Sequence, residues 1–384
     1  MAAHTFLATP AAGTSTWLAR PSARTWTSPP SAAQVTYDVA GFHAQLPGYA
    51  PTPLVELPAL AAELGVDRVF VKDESARFGL PAFKILGASW AIHRALARHH
   101  GLGSVSFGEL RERIADLPPA RLVTATDGNH GRAVARMATL LGLTAEIYVP
   151  HGVHPAARGA IKAEGAEVVD VTGDYDEAVR RAAAVAEQRD TLLIQDTAWP
   201  GYERVPQWVA DGYSTLFAEI DVQLLAAGAA PAGLVAVPVG VGSLAQAAVA
   251  HYRRRPDGPS LLSVEPDTAA SVLTSLARGD LTTIATGSTI MAGLNCATPS
   301  SLAWPYLSGG LDASVAVSDA DAAEAARDLA GLGVPAGPCG AASLAGVRAA
   351  LTAADRRASL APGHARTAVL LSTEGAAANP ALSA

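Results

Sequence analysis

Arg77-Phe-Gly-Leu-Pro-Ala-Phe-Lys-Ile-Leu-Gly-Ala-Ser-Trp90 is the stretch from which the rest of the chain can be read. Lys84 stands between Phe83 and the apolar pair Ile85 and Leu86, where a helical pattern begins. Lysines on surface helices ordinarily occupy the polar face, so this framing is unusual. Desolvation disfavours an ammonium, so a lysine in apolar surroundings is available as a free amine that can form a Schiff base. The same residues also admit a simpler role, with the Lys84 stem packed at a buried helix start and its head in water.

Outward from this stretch, β-rich runs alternate with helical patterns. Strands are expected over residues 68–72, 121–125, 145–150, 167–171, 192–195, 234–239, 261–265, 314–317 and 367–372. Helices are expected between them, among others over 131–141, stopped by Gly142, and 320–330, stopped by Gly331. Such alternation argues for an α/β protein with mostly parallel open sheets covered by helices on both faces. The four strands from 121 to 195 are expected to form one small sheet, and the others a larger one. This gives a large discontinuous domain, residues 1–88 and 200–384, with a small α/β domain, 89–199, inserted in it and a cleft between the two. Residues 1 to about 50, rich in Ala, Ser, Thr and Pro, read as an arm with one short strand at most.

Composition narrows the function classes. Of 384 residues, 49% are hydrophobic and 16% charged, which describes packed globular domains and not a disordered chain. The net charge of −7 and the absence of a long basic run argue against a nucleic-acid partner. No apolar stretch is long enough to cross a bilayer, and no signal-peptide pattern opens the sequence. The two cysteines, Cys296 and Cys339, form no disulfide framework and fit a reducing cytoplasm. His151 and His154 lie in a Gly/Pro loop with no carboxylate or thiol nearby and read, with His99 and His100, as surface histidines, so no metal site is expected.

Ligands in open α/β sheets bind beyond the carboxyl ends of strands, and two loops there carry chemistry. In Thr124-Ala-Thr-Asp-Gly-Asn-His-Gly131, Gly128 and Gly131 allow close backbone approach, and Thr126, Asn129 and the helix amides supply donors suited to a carboxylate. Asp127 and His130 add titratable groups, although Asp, Gly and Asn also suit a plain helix cap. In Val237-Pro-Val-Gly-Val-Gly-Ser-Leu-Ala245, successive amides before a helix suit a phosphate. Gly240-Val-Gly-Ser-Leu-Ala245 also matches a dinucleotide fingerprint, with Glu265 about where a ribose-binding acid would lie, so an NAD(P)-dependent dehydrogenase is the competing class. Leu371-Ser-Thr-Glu-Gly375 places the hydroxyls of Ser372 and Thr373 at a strand end, and Asp196-Thr-Ala-Trp-Pro-Gly-Tyr-Glu203 sets an acid and aromatics at the domain junction.

Together with Met291-Ala-Gly-Leu-Asn-Cys296, these stretches run in order across residues 50–375, and the chain resembles the diaminopropionate ammonia-lyase family. That family is pyridoxal-phosphate (PLP) dependent and has fold type II, the tryptophan-synthase β-subunit-like fold. The resemblance implies that Lys84 carries PLP covalently, with Phe83 beside the ring. It implies that Asn129 meets the phenolic oxygen, that the backbone of Gly240, Val241, Gly242, Ser243 and Leu244 holds the phosphate, and that Ser372, or else Thr373, meets the pyridine nitrogen. Substrate would be gripped by Thr126, Gly128, His130 and Asp196. Lys84 would remove the α-proton from L-substrates and Asp127 from D-substrates, so that 2,3-diaminopropionate yields pyruvate and ammonia in a cytoplasmic homodimer. Pro81, Ala88, Trp90 and the pair Ala376 and Ala377 depart from the family's usual residues, and the loss of polar side chains at 376 and 377 implies a larger or less charged substrate pocket. The alternatives within PLP chemistry are a serine/threonine dehydratase, a β-replacement enzyme, or a regulator on a retired scaffold.

Overall fold

A computed structural model describes residues 17–27, 38–126, 128–255, 257–360 and 367–378. Among the described residues, eleven strands form two sheets. The strands are β1 (Trp17–Ala19), β2 (Leu54–Glu56), β3 (Arg68–Asp73), β4 (Arg121–Ala125), β5 (Thr144–Val149), β6 (Glu167–Asp170), β7 (Thr191–Leu193), β8 (Leu234–Pro238), β9 (Ser260–Pro266), β10 (Ala313–Val317) and β11 (Thr367–Ser372). The larger sheet has the order β1-β10-β9-β8-β11-β3-β2, and the smaller has β6-β5-β4-β7. Among the described strands only the short outer β1 and β2 run antiparallel to their neighbours. All nine strand runs expected from the sequence are present. Their near-continuous apolar character follows from burial on both faces, as in Leu234-Val-Ala-Val of β8 and Ala368-Val-Leu-Leu of β11.

The Lys84–His99 helix is unbroken and almost wholly buried. Ile85 joins the core of the small sheet, whereas Leu86 joins a core of the large one. The Arg204–Gly212 helix crosses it closely: a Cβ on Gly212 would lie 2.4 Å from the Leu86 carbonyl oxygen. His43 ties a further segment to the same helix. Its Nε2 faces the Leu86 carbonyl at 3.0 Å, which can only accept, so Nδ1 is left to accept from the Thr215 hydroxyl at 2.7 Å.

The segment leading to Lys84 is anchored by a buried cluster of four charges. Arg77 donates from Nε to Glu74 Oε2 at 2.8 Å, and from Nη1 and Nη2 to the two Glu219 oxygens at 2.7 Å each. Lys72 donates to Glu219 Oε2 at 2.6 Å and to the Thr52 carbonyl at 2.8 Å. Tyr49 adds its hydroxyl to Glu219 at 2.9 Å. Two cations therefore balance two carboxylates, and the remaining lone pairs find donors, the condition under which buried charge is tolerated. Just beyond, Phe78 adopts φ +53°, a left-handed conformation costly for a bulky residue and held here by its flanks.

Two expectations follow. Glu219→Gln leaves Lys72 and Arg77 one carboxylate short and is expected to cost roughly 3–5 kcal/mol in urea unfolding followed by circular dichroism; a loss below about 1 kcal/mol would contradict the role given to the cluster. Burial lowers the imidazole of His43 to about 3 and that of His93 to about 4. An unfolded histidine gains its proton near pH 6.5 and these two resist it, so stability is full above about pH 6.5 and falls as pH drops toward those values. His43→Gln is expected to flatten the stability–pH slope between about pH 6.5 and 4, and an unchanged slope would rule out this contribution.

Candidate active site

The carboxyl ends of β8 and β11 in one sheet, and of β4 and β5 in the other, open on a cavity of about 740 Å³ that Lys84 and Asp196 also line. Lys84 reaches it because its loop is stitched to the end of β11. The Glu74 amide donates to the Ser372 carbonyl at 2.9 Å, the Phe83 amide to the Thr373 carbonyl at 3.2 Å, and the Gly375 amide to the Pro81 carbonyl at 2.9 Å. Lys84 Nζ then donates to Asp196 Oδ2 at 2.8 Å, with 22% of its side chain exposed. The apolar niche inferred from Phe83, Ile85 and Leu86 is thus corrected. The helix turns Ile85 and Leu86 into separate cores, and a carboxylate from the loop after β7 faces the amine. Phe83 remains beside it, its ring centroid 5.5 Å from Nζ.

Asp196 is positioned by its own motif. Tyr202 donates its hydroxyl to the Leu193 carbonyl at 2.7 Å and accepts from the Gln195 amide at 2.9 Å, pinning the exit of β7. Gln195 Oε1 accepts from Thr124 Oγ1 and the Ala125 amide, both at 3.0 Å, locking β7 to β4. Burial pushes the Asp196 carboxyl up, but the Lys84 ammonium and nearby His130 outweigh it and hold the group well below the usual carboxylate range. His130 is buried, and desolvation lowers its pKa. Its Nε2 donates to the Ile194 carbonyl at 2.7 Å, so a neutral ring presents Nδ1 3.9 Å from Asp196 Oδ2.

In the loop after β4, Thr126 Oγ1 accepts from the amides of Gly128 and Gly131 at 3.0 and 3.2 Å, which leaves its proton to donate. A Cβ on Gly131 would fall 2.2 Å from Thr126 Cγ2, so this turn closes only on glycine. Asn129 Nδ2 donates to Glu374 Oε2 at 2.7 Å across the cavity. Asp127 lies outside the described residues.

The opposite wall tests the fit of a phosphate-bearing cofactor. Residues 240–244 line the cavity, Gly242 has φ +100°, and a Cβ there would meet Leu307 Cδ1 at 2.7 Å. On Gly240 a Cβ would meet Cys296 Sγ and the Gly293 carbonyl, each at 3.0 Å. The backbone is therefore bare where the Ser243–Tyr252 helix begins, and leading helix amides lack intrahelical acceptors. Ser243 Oγ donates to the Asp196 carbonyl at 3.0 Å, joining this cradle to the acid. An amine, a cradle of amides and a roomy cavity fit pyridoxal phosphate. Ser372 is buried behind the wall, its hydroxyl 3.5 Å from the Glu374 carbonyl, whereas Thr373, Cys339 and Glu374 line the cavity.

Sequence reading assigned no role to Glu374, Tyr175 or Tyr213, all on the cavity wall. Glu374 had a signal, as an acid before glycine at a strand end; the tyrosines had none. Glu265, offered as a ribose ligand, is fully buried and accepts from the Val272 and Leu273 amides at 2.7 and 2.8 Å. It caps a helix, which removes the residue that the dinucleotide reading needed.

Residues 45–373 match the family model described as pyridoxal-phosphate dependent enzyme. The diaminopropionate ammonia-lyase of Salmonella typhimurium is 38% identical over 305 residues, covering 76% of this chain and 75% of that protein. A crystal structure of the Escherichia coli diaminopropionate ammonia lyase with an aminoacrylate-PLP azomethine reaction intermediate superposes with a TM-score of 0.81 at 34% identity, over 91% of each chain. The same enzyme in complex with D-serine gives a TM-score of 0.84 at 33% identity, over 95% of each. These matches overturn the dehydrogenase alternative and agree with the lysine, the glycine cradle and the two-sheet cleft found here. The chain is a fold type II PLP-dependent enzyme and belongs to the diaminopropionate ammonia-lyase family.

Proposed function

We propose that the protein eliminates ammonia from 2,3-diaminopropionate to give pyruvate and ammonia, with Lys84 as the cofactor-bearing residue. The observation that carries this reading is Lys84 Nζ held 2.8 Å from the Asp196 carboxylate in a cavity walled by the 240–244 backbone. Bound pyridoxal phosphate supplies an electron sink for negative charge at the substrate α-carbon. The chain does the rest. The amides of residues 240–244 hold the phosphate, Phe83 flanks the ring, Asn129 takes the phenolic oxygen, and Ser372, or else Thr373 on the cavity wall, serves the ring nitrogen. Thr126, Gly128 and His130 bind the substrate. Asp196, kept ionised by its surroundings, takes a substrate ammonium. The Lys84 amine accepts the α-proton of L-substrates and Asp127 that of D-substrates, from opposite faces.

None of the departures from the family pattern reaches the cavity. Pro81 and Ala88 are buried away from it, and Trp90 lines a separate cavity of about 290 Å³ with Gln207 and Asp211. Ala376 and Ala377 are exposed, and Ala378 is the residue on the wall. This supports an unaltered substrate. The reading extends to a cytoplasmic homodimer acting on a small amino acid, with residues 89–199 as a small domain inserted between 1–88 and 200–384. Among the described residues no helix is long and apolar enough to cross a membrane.

The test is to supply the purified, PLP-loaded protein separately with D- and L-2,3-diaminopropionate, serine and threonine while following pyruvate and ammonia. Diaminopropionate is expected to be the preferred source; turnover of serine with none of diaminopropionate would refute the assignment. Asp127→Asn is expected to lower turnover of the D-isomer about 100-fold or more and to spare the L-isomer, and equal losses would exclude two bases. Gly242→Ala forces a side chain onto Leu307 in a left-handed conformation. Its affinity for PLP, titrated by fluorescence, is expected to fall about tenfold or more, and unchanged affinity would exclude the cradle.

A further inference from the structure

Two polar atoms beside the Lys84–Asp196 pair are buried with no hydrogen-bond partner: the Tyr213 hydroxyl and His130 Nδ1. Buried polar groups in native proteins are almost always paired, so an orphan on a ligand cavity calls for a partner that arrives later. Tyr213 is fully buried and lines the cavity with Lys84 and Asp196, and its phenol feels the charge of both. Its ring is clamped, 4.8 Å from that of Phe83 between centroids. A Cβ on Gly87, one turn beyond Lys84, would lie 2.6 Å from Tyr213 Cε1, so the helix bearing Lys84 leaves room for this ring.

Lys84 now serves Asp196 with one of the three hydrogens of an ammonium. A lysine nitrogen doubly bonded to the cofactor carbon keeps one hydrogen at most, which the buried carboxylate must then share with the cofactor's own acceptor atoms. His130 cannot supply another donor, since Nδ1 of the neutral ring only accepts. The phenol can donate.

We propose that Tyr213 is a positioning residue whose hydroxyl donates to the Asp196 carboxylate once Lys84 is bonded to the cofactor, keeping Asp196 ionised and aimed at the substrate. The proposal rests on the PLP reading and adds to it a residue that acts through Asp196 and touches neither cofactor nor substrate. No proton changes owner in this exchange; one hydrogen bond replaces another.

The experiment compares wild type, Tyr213→Phe, Asp196→Ala and the double variant by the melting temperature of the apo protein and by PLP affinity from fluorescence titration. Removing an unpartnered hydroxyl is expected to leave the apo melting temperature unchanged or raised. It is also expected to weaken PLP binding about tenfold, and that penalty is expected to disappear in the Asp196→Ala background, where no carboxylate needs a donor. Three results would overturn the proposal: equal PLP affinity of Tyr213→Phe and wild type, the same penalty in both backgrounds, which would place the hydroxyl on the cofactor, or a lowered apo melting temperature. Failure of the wild type itself to bind PLP would instead remove the cofactor reading beneath it.

Discussion

Two cations and two carboxylates, sealed from water, hold the polypeptide on which Lys84 is mounted. Arg77 and Lys72 converge on Glu219, and Arg77 also closes on Glu74, so the segment between β3 and the Lys84–His99 helix is tied to a helix that follows much later in the chain. Charges buried in this way contribute little net stability when complete and cost several kcal/mol when one member is missing. What they confer is position. The left-handed Phe78 and the bonds from Phe83 and Gly375 into the end of β11 follow from that anchor, and they leave Lys84 at the mouth of the cleft.

The active-site charges obey a different logic. Asp196 is buried yet ionised because Lys84 opposes it, and the pair stays open to the cavity on the lysine side. The neutral imidazole of His130 and the phenol of Tyr213 border the pair without bonding to it. A fully satisfied cluster at Arg77 and an ion pair at Lys84 bordered by two unpaired polar atoms therefore stand at the two ends of one short segment. The first is suited to rigidity and the second to exchanging partners when a ligand enters.

Much of this architecture was legible because its signals are local. Strands of a parallel sheet are buried on both faces and read as apolar runs, and glycine loops ahead of helices mark where the backbone must be bare. Lys84, the Thr126 to His130 loop, Asp196 and the 240–244 loop were found in this way or by family resemblance, and the structure brings those that it describes to one cavity. The strands β1 and β2, three residues each, carry too little pattern for a reading by periodicity. Asp196 had no visible link to Lys84, from which 112 residues separate it.

The sequence alone determined the alternation of strands and helices, the grouping of strands into two sheets, and the chemical type of the groups at the strand ends. These depend on side-chain period and on turn residues, which a few neighbours specify. Only the tertiary structure decided that the lysine faces a carboxylate and not hydrocarbon, that Glu219 neutralises Arg77, that Glu265 caps a helix, and that Tyr213 stands unpaired beside the ion pair. A charge's partner, and the water it loses, are set by chain segments far away in sequence, and no local pattern encodes them.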